Sequence, residues 1–290
     1  MLVSQDEPRC TATPSRSECS SQNDHTLIEG ILRLVRQQTG VDFAQYRRPT
    51  ISRRIHNRML SIGVRSLQDY WARLQADEAE SMRLLERLTI KVSRFYRNAC
   101  TFDVLAEEVL PWLACRRQPL RIWSAGCGCG EEAYTLAMLL EAARLPGKVE
   151  ASDIDPAALA VAREGVYRRE AFDELPAGLA AQLEAAGAQR YRVPAAARER
   201  VRFFRHDLGD APPPAARFYD LICCRNVLIY FEREAQRRAF ATLDEALRGD
   251  GYLCLGEAEW PLPEYVERYA PCGAKTQVFR RLQGGREGER

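Results

Sequence analysis

The stretch Arg121-Ile-Trp-Ser-Ala-Gly-Cys-Gly-Cys-Gly-Glu-Glu132 carries residue types that can do chemistry, at a spacing that suits it. An apolar run leads into three alternating glycines, and two carboxylates then open a helical pattern. Glycines at such a turn let the backbone pass close beneath a ligand, as in the first strand-to-helix turn of a nucleotide-binding sheet. The carboxylates decide which ligand. A dinucleotide would set its pyrophosphate at the helix N-terminus, where N–H groups and the dipole attract an anion. Glu131 and Glu132 repel it, and Glu131 takes the place of the third glycine of G-x-G-x-x-G. S-adenosylmethionine (SAM) has no phosphate and presents an ammonium beside a sulfonium, which a carboxylate at this turn can pair with. Taken alone, the turn also fits an ordinary Gly-rich loop before a charged helix start.

Three further segments place polar groups where an open α/β sheet binds its ligand, at the carboxyl ends of strands. Ser152-Asp153-Ile154-Asp155 offers an acid that can accept both ribose hydroxyls. His206-Asp207-Leu208 offers a carboxylate for an adenine amine, and Cys224-Arg225-Asn226-Val227 leads into Leu228-Ile229-Tyr230-Phe231. Each has a plainer reading. Asp155 before Pro156 is a helix cap, His206 a hydrogen-bonded surface histidine, and Arg225 a solvated loop charge. Four suitable strand ends in the expected order weigh against coincidence.

These segments need an alternating scaffold, and the pattern supplies one. From residue 120 onward, strand-like runs at 120–124, 148–153, 201–206, 219–225, 251–257 and 276–280 alternate with helical patterns at 131–143, 157–164 and 232–247. That order predicts an α/β fold with a parallel, doubly wound sheet. Residues 166–200 interrupt it and read as an insertion or subdomain. Residues 25–90 are helical throughout, with apolar stripes at Leu27, Ile31, Leu34 and Val35, at Ile51, Ile55, Met59 and Ile62, at Leu67, Tyr70, Trp71 and Leu74, and at Met82, Leu85 and Leu88. Gly40 and Gly63 fall where helices should stop. Residues 1–24 and 283–290 are polar and are expected to be disordered.

Composition sets outer limits. A 46% hydrophobic chain of 290 residues can bury one large or two ordinary cores, and a net charge of +2 gives no global pull toward nucleic acid or membrane. No run approaches the ~18 apolar residues of a membrane span, and no cleavable signal is visible. Ten cysteines without a Cys-x-x-Cys pair, with only three histidines, argue against zinc. Free thiols and no export signal predict a reducing cytoplasm.

The strings Ile122-Trp-Ser-Ala-Gly-x-Gly-x-Gly-Glu-Glu-Ala-Tyr-Thr-Leu-Ala-Met138, Ser152-Asp-Ile-Asp155, Cys224-Arg-Asn-Val-Leu-Ile-Tyr-Phe231 and Gly251-Tyr-Leu-x-Leu-Gly-Glu257 together resemble the chemotaxis receptor methyltransferases of the CheR type. The resemblance runs over roughly residues 25–280. It implies a helical domain at 25–90, a linker and connecting helix at 91–118, and a Rossmann-like class I methyltransferase domain at 119–282 with a small β-subdomain at 166–200. It implies SAM as cofactor, S-adenosylhomocysteine (SAH) as product, and no metal. Carried over residue by residue, Glu131 binds the amino end of SAM and Asp153 the ribose. Asp207 and Leu208 face the adenine, and Gly126, Asn226 and Val227 line the pocket. The family's interdomain segment reads Lys91-Val-Ser93-Arg-Phe95-Tyr96-Arg97 here, so Ser93 and Arg97 reach the cofactor or the substrate, and Arg97 and Tyr230 position the accepting carboxylate. Lys91, Tyr96, Asn98, Cys127 and Cys129 depart from the usual family residues and bear on substrate detail.

The implied activity is methyl transfer from SAM to glutamate side chains of chemoreceptors, for sensory adaptation. A glutamate with an ordinary pKa of about 4.3 is already ionised and needs no general base. Rate then comes from holding oxygen and methyl about 3–3.5 Å apart. Arg47, Arg54 and Arg58, with Arg48, Arg53 and Arg65, put a basic face opposite Ile51, Ile55 and Met59, suited to docking a glutamate-bearing receptor helix. The resemblance implies that residues 166–200 form the subdomain with which family members can grip a receptor C-terminal tether, a function this sequence does not itself disclose, and the chain is expected to act as a monomer without nucleic acid or membrane insertion. The alternatives are a non-catalytic SAM-binding regulator, a nucleic-acid base methyltransferase, which would carry Asn-Pro-Pro-Tyr or Asp-Pro-Pro-Tyr where this chain has Asn226-Val-Leu-Ile, and a small-molecule O-methyltransferase.

Overall fold

The computed structural model describes residues 16–89 and 93–282, with side chains described from Asp24 onward. Four helices come first: α1 (Arg16–Thr39), α2 (Arg48–Ser61), α3 (Leu67–Ala76) and α4 (Glu78–Leu88). Their apolar stripes meet in one core that includes Ile31, Val35, Phe43, Ile55, Tyr70 and Leu84. Local chemistry sets the ends. Pro49 opens α2, Ser66 Oγ accepts the Asp69 N–H at the start of α3, and Asp77 accepts from Ala79 at the start of α4. The expectation of disorder to residue 24 is corrected from Arg16, where α1 begins. No Pro or Gly lies between Ser15 and Glu29, so nothing stops the helix from running N-terminal of its buried face. Residues 1–15, Lys91 and 283–290 lie outside the described residues.

A connecting helix follows, α5 (Ala99–Val104), which passes through one π-turn into α6 (Leu110–Ala114). The second domain then runs β1 (Leu120–Ala125), α7 (Glu131–Ala142), β2 (Gly147–Asp153), α8 (Pro156–Glu164), β3 (Val166–Arg168), α9 (Ala177–Ala180), β4 (Glu184–Ala185), β5 (Arg190–Arg192), α10 (Ala195–Arg198), β6 (Val201–Arg205), β7 (Tyr219–Cys224), α11 (Arg233–Ala246), β8 (Leu247–Leu255), β9 (Tyr269–Cys272) and β10 (Val278–Arg281). Seven strands form one sheet in the order β6-β2-β1-β7-β8-β10-β9. The first five are parallel, as expected, while β10 is antiparallel to both β8 and β9, so the sheet is mixed.

Alternation along the central strands builds two cores. Ile122, Leu221 and Cys223 pack with α7 and the connecting helix on one face, and Trp123, Ile222, Cys224 and Leu253 pack with α11 on the other. β3, β5 and β4 form a separate antiparallel sheet in that order, the β-subdomain expected at 166–200. Val201 to Arg205 pair with β2 in the main sheet, as expected of the run at 201–206.

The two domains are tied directly. Tyr46 bridges Phe231, the Arg47 N–H donates to the Tyr230 carbonyl at 2.9 Å, and the Glu232 N–H donates to the Gln45 carbonyl at 2.8 Å. Thr89 Oγ1 donates to Asp155 Oδ2 at 2.8 Å, and Arg205 donates to the Gly40 carbonyl at 2.9 Å.

Candidate active site

An open cleft lies at the carboxyl ends of β1, β2, β6 and β7, walled on its other side by α2 and the end of α4. Its first wall is the glycine turn. The Gly126 and Cys127 N–H groups donate to the Ser152 carbonyl at 2.8 and 2.9 Å, which staples the turn to the end of β2. Gly126 has φ +75°, and a Cβ there would come within 2.4 Å of Val227 Cγ2, so both its backbone and its close approach to the β7 loop require glycine. Asp153 accepts the Gly128 N–H at 2.8 Å and the Asp155 N–H at 2.9 Å. Burial pushes the Asp153 carboxyl up, against the pull of these backbone donors.

The two glutamates at the start of α7 differ. Glu132 lines the cleft, accepts from Ser124 Oγ at 2.7 Å and lies 3.5 Å from Arg225. Glu131 is not among the lining residues; it is buried at the same helix start, and its Oε2 has no hydrogen-bond partner among the described residues. Burial, the largest influence on it, raises its carboxyl to about 7. A buried carboxylate oxygen lacking a partner calls for a cationic ligand. That fits the ammonium end of SAM.

At the end of β6, Asp207 accepts the Gly209 N–H at 3.0 Å and lines the cleft with Leu208. Burial raises the Asp207 carboxyl. His206 donates from Nε2 to the Pro212 carbonyl at 2.8 Å and sets its ring edge against Trp123. At the end of β7, Asn226 adopts φ +59° and Val227 follows, both lining the cleft.

The residue that shapes this last loop was not found from the sequence. Glu259, buried after β8, accepts the N–H groups of Asn226 (2.8 Å), Val227 (3.0 Å), Ile229 (3.2 Å) and Gly256 (2.7 Å). A lone glutamate two residues beyond a recognised strand carries no signal in the sequence for this, because all its partners are backbone.

Arg225 is not a solvated charge. Its side chain is 5% exposed, and it donates to the Arg97 carbonyl at 2.7 Å and to Asn98 Oδ1 at 2.6 Å while facing Glu132. It therefore locks the interdomain segment to the start of α7. Ser93 and Arg97 line the cleft on that segment, opposite Tyr230. Tyr230 is half-buried rather than a core aromatic, and Arg54 sits 5.9 Å from its ring centroid. Burial raises the Tyr230 hydroxyl, and Arg54 and Arg97 pull it back down, which puts both guanidinium groups beside it.

The basic face of α2 divides into parts. Arg58 is corrected as a docking residue: its guanidinium grips the fully buried Glu80 with two 2.8 Å bonds and is 12% exposed. Arg54 donates to the Arg87 and Leu88 carbonyls and lines the cleft, so it faces inward. Arg47 is exposed, with Nε 3.4 Å from the Phe231 carbonyl, and Arg53 and Arg65 are exposed without an ion pair among the described residues. Among the described residues no helix is long and apolar enough to cross a membrane, and no His, Cys, Asp and Glu cluster could hold a metal ion.

A mixed Rossmann-like sheet with this glycine turn, preceded by an all-α domain, defines a class I SAM-dependent methyltransferase. The chain belongs to the CheR methyltransferase family: residues 91–277 match its SAM binding domain and residues 27–89 its all-alpha domain. It is 34% identical over 232 residues to the chemotaxis protein methyltransferase of Listeria monocytogenes, covering 78% of this chain and 87% of that one. It is 34% identical to the probable biofilm formation methyltransferase WspC of Pseudomonas putida, covering 79% of this chain and 56% of that one. An uncharacterized 104.1 kDa protein of Rhodobacter capsulatus is 35% identical over 84% of this chain, which spans only 26% of that relative.

Proposed function

We propose that the protein is a protein-glutamate O-methyltransferase that esterifies side-chain carboxylates on the cytoplasmic helical bundle of chemoreceptors. The observation that carries this reading is the meeting of Arg97, Arg54 and Tyr230 at one end of a cleft whose other walls suit SAM. Two guanidinium groups and a phenol form a carboxylate-binding set. SAM, when bound, supplies a methyl group made electrophilic by its sulfonium. The protein's part is to hold the accepting carboxylate. Arg97 anchors one oxygen, Tyr230 donates to the carboxylate from the β7 loop, and Arg225 fixes the Arg97 backbone. No proton has to be removed from an ionised glutamate. Among the described residues one imidazole lines the cleft, His206, which lies beside Asp207 and donates from Nε2 to the Pro212 carbonyl while its Nδ1 has no partner.

Receptor helices dock on the exposed side of α2 and its two flanks, through Arg53 on the helix and Arg47 and Arg65 beyond its ends, rather than through Arg58. The edge strand β4, whose two residues are exposed and which pairs on one side only, offers backbone groups to an extended receptor tether. Methyl transfer from methyl-labelled SAM to membranes carrying the host's chemoreceptors, read as alkali-released labelled methanol, tests the activity. Labile label on a receptor-sized band is the expected result; tight SAM binding without labile label would favour a regulatory role. Arg97→Ala should lower kcat by about a hundredfold, the order of one lost charge-assisted contact. Full turnover in that variant would remove the anchor.

A further inference from the structure

Tyr46 belongs to the all-α domain, yet it lines the cleft together with Asp153, Asp207 and Leu208. Its position is fixed before any ligand arrives. Its backbone bridges Phe231, flanked by the Arg47–Tyr230 and Glu232–Gln45 hydrogen bonds. Its ring packs edge-on against Phe231 at 4.9 Å and against Phe43 at 5.0 Å. The ring is thus held on one side by the helical core and on the other by the β7 loop. Its hydroxyl, in contrast, has no hydrogen-bond partner among the described residues, and it lies in the field of both Asp207 and Asp153, which add to the effect of burial in raising its pKa. A phenol held rigidly in the same cleft as two carboxylates, with its own donor unused, is arranged to meet a ligand group that both donates and accepts. A ribose hydroxyl is such a group: it can donate to a carboxylate and accept from a phenol at once.

We infer that Tyr46 is a cofactor-binding residue contributed by the all-α domain, its hydroxyl bonding the adenosine half of SAM and SAH in the cleft that Asp153 and Asp207 also line. The inference rests on the SAM reading of the cleft. It makes the helical domain part of the cofactor site as well as the receptor-docking surface. It also explains why residues 45–47 are pinned to 230–232 by backbone pairing, since a loop free to swing would lose the phenol's registration with the carboxylates.

Calorimetric titration of SAH and of adenosine into the full chain tests it, using wild type, Tyr46→Phe, Asp153→Ala and Glu131→Gln, with thermal melts alongside. Tyr46→Phe keeps the packing ring and removes only the donor. It should weaken SAH and adenosine alike, each by about tenfold, the order of one buried hydrogen bond. The melting temperature of the free protein should stay within about 1 °C of wild type, because no protein–protein bond is lost, while the rise produced by SAH shrinks. Glu131→Gln should weaken SAH but spare adenosine, which separates the two ends of the ligand. SAH binding by Tyr46→Phe within twofold of wild type, with Asp153→Ala impaired, would overturn the role of Tyr46 and leave the SAM reading intact. A wild-type protein that binds no SAH would overturn both.

Discussion

Glu131 and Glu132 are neighbours at one helix start, and the fold treats them differently. Glu132 has its partners built in, in Ser124 and Arg225. Glu131 has a buried oxygen with none among the described residues. Its carboxyl is raised from an ordinary 4.5 to about 7, so between those values the folded state holds a proton that the unfolded state releases. For this group, stability is greatest at low pH and is lost as pH rises through that window. Replacing it removes the penalty. Glu131→Gln should therefore be more stable than wild type at pH 8, by about 3 kcal/mol for a rise from 4.5 to about 7, and the gain should vanish near pH 4.5. The same variant should weaken SAH at pH 8 by tenfold or more, and wild-type affinity should tighten from pH 6 to 8 while that of the variant stays flat. Melts and titrations across pH check both signs. Arg58 carries the opposite prediction. Burial pushes the Glu80 carboxyl up, but hydrogen bonds from Arg58 and Tyr70 outweigh it and hold the group below its usual range. Arg58→Ala removes two 2.8 Å bonds from that carboxylate, leaving it Tyr70 and Arg83, and should cost about 2–3 kcal/mol in denaturant melts, with receptor KM unchanged at a temperature where it is folded.

At the scale of elements, the β7 loop shows what a sequence discloses and what it hides. The strands before it are legible as short, nearly continuous apolar runs, because both of their faces are buried under helices. The glycine turn is legible as a cofactor turn only together with the polar ends of the other strands, since alone it fits an ordinary Gly-rich loop as well. The strand β9 is not, since Tyr-Ala-Pro-Cys is short and contains a proline that suits only an edge. Glu259 and Tyr46 are hidden for a different reason. Glu259 acts through backbone donors some thirty residues away, and Tyr46 meets carboxylates more than a hundred residues away, so neither leaves a local pattern. Arg58 was misplaced for the same reason: its partner Glu80 sits on another helix, and a helical arginine row looks alike whether solvated or paired. The β7 loop itself depends on Glu259. Glu259→Gln turns an amide donor toward four backbone N–H groups and should destabilise the protein by about 2–4 kcal/mol, with loss of both SAH affinity and kcat. The nearby exposed Glu257, whose one hydrogen-bond donor among the described residues is Asn98, supplies the comparison. Glu257→Gln should change stability by less than about 1 kcal/mol in the same melts.

Across the whole molecule, charge is placed rather than accumulated. The net charge is +2, yet from Phe43 to Gln68 there are six arginines and no carboxylate. The fold spends three of them on itself, Arg48 on Glu29, Arg54 on the end of α4 and Arg58 on Glu80, and leaves Arg47, Arg53 and Arg65 at the surface. Arg53 lies on α2, the helix that walls the cleft, and Arg47 and Arg65 flank its two ends, so a receptor helix drawn to them arrives beside Arg54 and Tyr230. Attraction between exposed charges is screened over a Debye length of about 10 Å at 0.1 M salt, whereas contacts inside a half-enclosed cleft are screened far less. The two binding steps should therefore separate by ionic strength. Raising salt from about 0.05 to about 0.5 M should increase receptor KM by roughly five- to tenfold while SAH affinity moves less than about twofold. Arg53→Glu paired with Arg65→Glu should raise KM at low salt to the high-salt value and flatten the salt dependence, with kcat at saturating receptor retained. Initial rates against receptor concentration at several salt levels decide it. A KM indifferent to salt would remove docking from the exposed face of α2, and a parallel loss of SAH affinity would move the salt effect from docking to the cleft itself.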